Sequence, residues 1–316
     1  MDKELNDYDL QKEFRSFIGH EKLLFLKKVN NQKAILGLIS QYSIIIATIL
    51  IALKINQLYF YIFAIMIIGS RQHAIAYYMH DAAHKIFLTD KKINDFFGEY
   101  LMAFPLFISM HAYRATHLKH HRYTNTKEDP DWIFKEGDKE WAFPMTKLQI
   151  FFILIKSLMG FDLIRMFKII IKSNQSPFSK NKLENPKNKI RVFLYFFISF
   201  IFTIANLWWY FIIFWIIPVL TYFAFIYRLR IIAEHSATSN NHLLSKTRTT
   251  IPNLFDKIFI APVNMSYHLE HHIFPNIPSY NLRKLHSIIM KNDVYKRKAT
   301  ITLGYRQVIR LCCLVQ

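Results

Sequence analysis

AILGLISQYSIIIATILIAL, Ala34 to Leu53, is a run of 20 residues without a charge. A helix rising about 1.5 Å per residue spans about 30 Å over that length, the thickness of bilayer hydrocarbon. A short break, Lys54-Ile55-Asn56-Gln57, leads into Leu58 to Met79, charged only at Arg71. The two runs predict a transmembrane hairpin. Farther on, Val192 to Tyr227 holds 36 residues without a charge, with Asn206 and Trp208-Trp209 near its middle. One helix of that length overshoots the bilayer, so two helices turning near Asn206–Tyr210 are expected. The expected spans are then about 34–53, 58–79, 192–209 and 211–228. Leu148 to Ile171 is apolar but interrupted by Lys156, Asp162, Arg165 and Lys168, the pattern of a helix lying in the interface. Residues 172–191, with Lys, Asn, Ser and two Pro, read as a loop.

The chain has 316 residues, 52% of them hydrophobic, with 29 Phe, which excludes a disordered or fibrous protein. Gly numbers only 7 and forms no Gly-rich phosphate loop, so a flavin, nicotinamide or nucleotide site of that type is not expected. The two Cys, Cys312 and Cys313, build neither a disulfide framework nor a metal cluster and read as residues of the tail. The formal net charge of +19 raises the question of nucleic acid. Of 41 Lys and Arg, however, 39 lie on one predicted side of the membrane; Lys54 alone falls outside and Arg71 within a span. That asymmetry accounts for the charge without nucleic acid. It puts both termini and the His-rich region in the cytoplasm. No basic head leads into a short apolar stretch near the start, so no signal peptide is expected. The expected organisation is a cytoplasmic N-terminal segment (1–33), a membrane domain (34–290) and a basic C-terminal tail (291–316). The fold class is all-α, about four transmembrane helices under a cytoplasmic helical His-rich cap with interfacial helices.

Eight of the 14 His fall into three clusters: His80-Asp81-Ala82-Ala83-His84, His117-Leu118-Lys119-His120-His121 and His268-Leu269-Glu270-His271-His272. On a helix, residues three or four apart share a face, so each cluster aims two or three imidazoles at one point. Neutral imidazole binds iron, zinc and copper. Eight imidazoles exceed what one ion holds and imply two metals. A nitrogen-rich set without Cys, beside lipid, points to two non-haem Fe ions with O2 as co-substrate. Asp81, Glu234 and Glu270 adjoin ligands and are placed either to hold imidazole N–H groups or as solvated charges. His111 and His73 are open between an outer position and packing. His20, His242 and His286 are not expected to be ligands.

The spacing, with Arg71-Gln72-His73-Ala74, Tyr113-Arg114-Ala115-Thr116-His117, Arg122-Tyr123-Thr124-Asn125, Arg228 through His235 and Ala261 through His268, resembles the membrane fatty acid desaturases, the bacterial acyl-lipid-like branch above all. The likeness covers about residues 35–290. It implies a ninth ligand at His235, completing the set His80, His84, His117, His120, His121, His235, His268, His271 and His272. Ile231 stands four residues before His235, where the animal acyl-CoA desaturases carry Asn, and the third box opens with His268 rather than the Gln of front-end desaturases. The implied reaction puts a double bond into a fatty acyl lipid or thioester, in the bacterial inner membrane, with the active site cytoplasmic. Electrons would come from a ferredoxin or cytochrome b5-like donor docking on the basic face. The rivals are a hydroxylase or ketolase of the same superfamily, and a zinc-binding membrane hydrolase or metal-storing membrane protein.

Overall fold

A computed structural model describes residues 6–133, 135–162, 186–239 and 242–313. The chain is mostly helical. Two short helices, α1 (Asp7–Ile18) and α2 (His20–Lys27), precede the first hairpin, α3 (Asn31–Ile55) and α4 (Leu58–Ala83). The Asn30 side chain caps α3 by accepting from the Lys33 backbone N–H, and Asn56 ends it in the left-handed conformation. After α5 (Lys91–Phe96), which runs on into a π-helical segment (Phe97–Ala103), come α6 (Met110–Tyr123), α7 (Pro130–Ile133) and α8 (Lys147–Leu158). The second hairpin is α9 (Pro186–Ile204) and α10 (Trp208–His235), and its turn holds Asn206 at φ 53°. α11 (His268–Ile273), α12 (Ser279–Ile289), α13 (Asp293–Lys298) and α14 (Gly304–Cys312) complete the helices.

Three helices among the described residues, α3, α4 and α10, are long and apolar enough to cross a membrane. α9 has 19 residues, but its first turns contain Lys187, Lys189 and Arg191. Hydropathy marks where charge begins, not where a helix stops. α4 runs past Met79 to Ala83, and α10 runs past residue 228 to His235, because its charges find partners inside the protein. Arg228 donates to the Glu140 carbonyl at 2.9 Å and lies 3.7 Å over the Trp141 ring, while Arg230 faces Glu234 at 3.4 Å. The loop expected over 172–191 is helical from Pro186, and residues 163–185 lie outside the described residues. The interfacial helix expected over 148–171 is interrupted: its first part ends at Leu158, Gly160 adopts φ +81° against the Leu220 carbonyl, and residues 163–171 lie outside the described residues.

Two expectations are corrected. The fold is not purely helical, since β1 (Thr249–Ile251) and β2 (Ile301–Leu303) form a two-stranded parallel sheet. Nor is 291–313 a tail. It contributes α13, β2 and α14, and Tyr295, Val308 and Cys312 are fully buried. Cys312 and Cys313 belong to a core with Tyr77, Ile232 and Met265. The N-terminal segment is likewise built in, with Leu10, Phe14 and Ile18 packed on Leu269, Ile273, Leu282 and Leu285.

Candidate metal centre

The three His clusters sit on three helix ends. His80 lies in the last turn of α4 with His84 as its C-cap, His117, His120 and His121 lie in the last two turns of α6, and His268, His271 and His272 lie on α11. His235 ends α10. Arg114 welds two of these helices. It donates to the Ala82 and Ala83 carbonyls, at 2.9 and 2.8 Å, and pairs with Asp95. Carbonyls at the α4 terminus are thus bound from α6, and that of Ala82 accepts from the Asn94 side chain as well.

The nine candidate ligands divide into two groups. His80, His84, His117, His121 and His271 form one, and His120, His235, His268 and His272 the other; within each, one nitrogen per ring lies within 4.8 Å of all the rest. In the first group, Nε2 of His117 is 2.9 Å from Nε2 of His84, and Nε2 of His121 is 3.0 Å from those of His117 and His271. In the second, Nε2 of His268 is 3.0 Å from those of His235 and His272. Nitrogens about 2.1 Å from one ion lie about 3.0 Å apart on adjacent octahedral positions and about 3.4 Å apart on a tetrahedron. The spacing fits the octahedral arrangement.

Charge supports a metal in both groups. Burial first, and neighbouring imidazoles second, hold His117, His121, His268, His271 and His272 well below the ordinary imidazole range. Burial, aided by Arg114, lowers His84 to about 4. These rings are therefore neutral, and a neutral imidazole has one nitrogen with a lone pair free for a metal. Nε2 of His80 is buried without any hydrogen-bond partner. Such a set could hold a cation at its centre. Tyr113 stacks on the ring of His117 at 4.8 Å and fixes its plane. A cavity of about 140 Å³ touches both groups, walled by His80, His117, His120, His235 and His268 together with Tyr113, Arg230 and Glu234.

The candidate outer residues separate. Asp81 accepts from the Ser279 backbone N–H at 3.1 Å and stands 3.6 Å from His80 Nδ1. Glu234 stands 3.5 Å from His268 Nδ1. Glu270 bonds no candidate ligand ring; it is fully buried and accepts from Thr249, Tyr295 and His286. His286, set apart from the ligands in the sequence reading, is thus tied to the third cluster through Glu270. His111 falls outside both groups; its backbone N–H donates to Glu99. His73 also falls outside them, and its Nδ1 meets the Ile260 carbonyl at 3.2 Å. His20 and His242 join neither group. The sequence reading missed Asp129, whose two oxygens each lie 3.0 Å from His120 Nδ1. The only signal available was an acidic residue shortly after a His cluster, just before Pro130.

The fatty acid desaturase family profile matches residues 56–304. A dihydrorhizobitoxine desaturase of Bradyrhizobium elkanii is 28% identical over 89% of this chain and 84% of its own length. A chloroplastic omega-6 fatty acid desaturase of Glycine max is 27% identical over 74% of this chain, and an sn-1 oleoyl-lipid 12-desaturase of Anabaena variabilis 25% over 67%. This chain spans less than two thirds of the latter two, 60% and 64% of their lengths. The profile takes in most of the chain, including all nine imidazoles, and the chain belongs to the fatty acid desaturase family.

Proposed function

We propose that this chain is an integral-membrane di-iron desaturase that converts a CH2–CH2 unit of a fatty acyl chain into CH=CH. The observation that carries the reading is the division of nine imidazoles into a five-nitrogen and a four-nitrogen group beside one cavity. The net reaction consumes one O2, two electrons and two protons and releases two waters. Two irons, when bound, supply the reductive activation of O2 that removal of hydrogen from an unactivated carbon requires. His80, His84, His117, His121 and His271 would hold one ion, and His120, His235, His268 and His272 the other. The rest is the protein's work. Helices α4, α6, α10 and α11 converge their imidazoles, stacked tyrosine holds a ring in plane, and the cavity wall holds one methylene pair and limits water.

Nine imidazoles in two groups favour two irons over the single four-ligand site of a zinc hydrolase. Electrons come from a separate protein, such as a ferredoxin or a cytochrome b5-like donor, attracted to the basic cytoplasmic face. In this reading α9 is the fourth span and every His cluster faces the cytoplasm.

A second reading concerns the substrate alone. The Bradyrhizobium elkanii relative is named for dihydrorhizobitoxine rather than for a lipid, and Arg230, Glu234 and Asp131 make part of the cavity wall here polar. Mass spectrometry of cells expressing the wild type and His268→Ala separates the outcomes. An acyl chain lighter by two mass units, present only with the wild type, supports the acyl desaturase. A dominant gain of sixteen hands the case to hydroxylation. Unchanged acyl chains with a desaturated polar metabolite favour the second reading.

A further inference from the structure

The two histidine groups are supported differently. In the four-histidine group, Asp129 places both oxygens 3.0 Å from His120 Nδ1, and the two residues are 1% and 2% exposed. Asp129 is itself aimed: its Oδ2 accepts from the Asn125 backbone N–H at 2.8 Å and its Oδ1 from that of Asp131 at 2.9 Å. In the same group, Thr124 Oγ1 donates to the His120 carbonyl at 2.8 Å and lies 3.3 Å from His272 Nδ1, whose N–H it is placed to accept. One short segment, Thr124 to Asp131, therefore fixes two of the four rings with Nδ1 protonated and the Nε2 lone pair turned inward. The five-histidine group has nothing equivalent. Among the described residues no carboxylate or hydroxyl is hydrogen-bonded to its rings, the nearest being Asp81 at 3.6 Å from His80 Nδ1; each group also keeps two buried Nδ1 atoms without a partner, His80 and His121 here and His235 and His268 in the other.

We infer that the two metal positions are inequivalent and that Asp129 is a positioning residue for the four-histidine one. The inference rests on the two-metal reading above. A carboxylate behind a ligating imidazole fixes its tautomer and raises its basicity, and loss of such a partner weakens metal binding by about 10- to 100-fold. The five-histidine position, with one donor more and no carboxylate within hydrogen-bond distance of its rings, is insensitive to Asp129.

The test uses the full chain in detergent, loaded anaerobically with Fe(II) and titrated with a ferrous chelator. The wild type is expected to hold two ions; fewer than two overturns the di-iron reading itself, separately from this inference. Asp129→Asn is expected to release one ion at a chelator concentration about 10- to 100-fold lower and to keep the other at the wild-type midpoint. Its 57Fe Mössbauer spectrum should change in one iron signal and not in the other. Release of both ions at wild-type midpoints, or equal weakening of both, overturns the inference. Should Asp129→Asn fail to fold, Thr124→Val decides. It is expected to weaken one ion only, by a smaller factor, and unchanged binding of both ions overturns the inference.

Discussion

Glu270 is a fully buried acceptor between two candidate ligands, and what it accepts from explains how the third cluster is held. Thr249 comes from β1, His286 from α12 and Tyr295 from α13, the last at 2.6 Å. Three separate elements thus clamp α11 from behind while His268, His271 and His272 face the centre. Removing one donor leaves part of a buried carboxyl unsatisfied, at a cost of about 1–3 kcal/mol. His286→Ala should therefore lower the unfolding midpoint measurably yet leave iron content and turnover near wild type. His84→Ala should abolish turnover with the fold intact, and His20→Ala should change neither. Ligand candidates were legible in the sequence because imidazoles three and four apart on a helix declare a common face. The support was not legible. His286 meets Glu270 across 16 residues through tertiary packing, and Asp129 meets His120 only because a turn after α6 brings it back.

Among the elements, α10 shows what hydropathy reads and what it misses. The apolar run and its turn at Asn206 are plain in the sequence, while the interior of the helix is not. Pro218 has no N–H to give, and π-helical segments, Ile212–Ile216 and Val219–Phe223, flank it. The Gln72 side chain on α4 donates to the Trp215 carbonyl at 3.0 Å, satisfying an acceptor at this irregularity. Close approach of the two helices makes this reach possible, and Gly69 permits it. A Cβ there would meet the Phe223 backbone nitrogen at 3.0 Å and the Pro218 carbonyl oxygen at 3.2 Å. These are backbone atoms, which do not swing aside. Gly69→Ala should destabilise the chain by about 1–3 kcal/mol, read as a lowered thermal unfolding midpoint in detergent. Gly69→Val should do worse, and an unchanged midpoint for both would mean the helices part freely at this contact.

At the scale of the whole molecule, the metal centre couples stability to acid and the charge distribution couples the chain to the membrane. In the unfolded chain an imidazole titrates near 6.5. In the folded chain His84 is lowered to about 4, and His117, His121, His268, His271 and His272 well below their ordinary range, because burial disfavours their charged forms. Between about 6.5 and 4 the unfolded chain binds more protons, so stability rises with pH there and falls on acidification. Unfolding of the metal-free protein should accordingly become easier as pH drops through that window and change little above it from these groups. Orientation follows from a different count. With 39 of 41 basic residues on one predicted side, the turn between α3 and α4 is the segment predicted to cross, with Lys54 beside it in the last turn of α3. The native thiols give little background for a labelling test, since Cys312 and Cys313 are both buried. In intact cells, a membrane-impermeant maleimide should label Asn56→Cys, and should label Lys127→Cys only after the cells are opened. Lys182, a further cytoplasmic position by the same count, lies outside the described residues. Labelling of Lys127→Cys in intact cells would invert the protein and carry the metal centre to the outer face. A soluble cytoplasmic electron donor would then have no route to it.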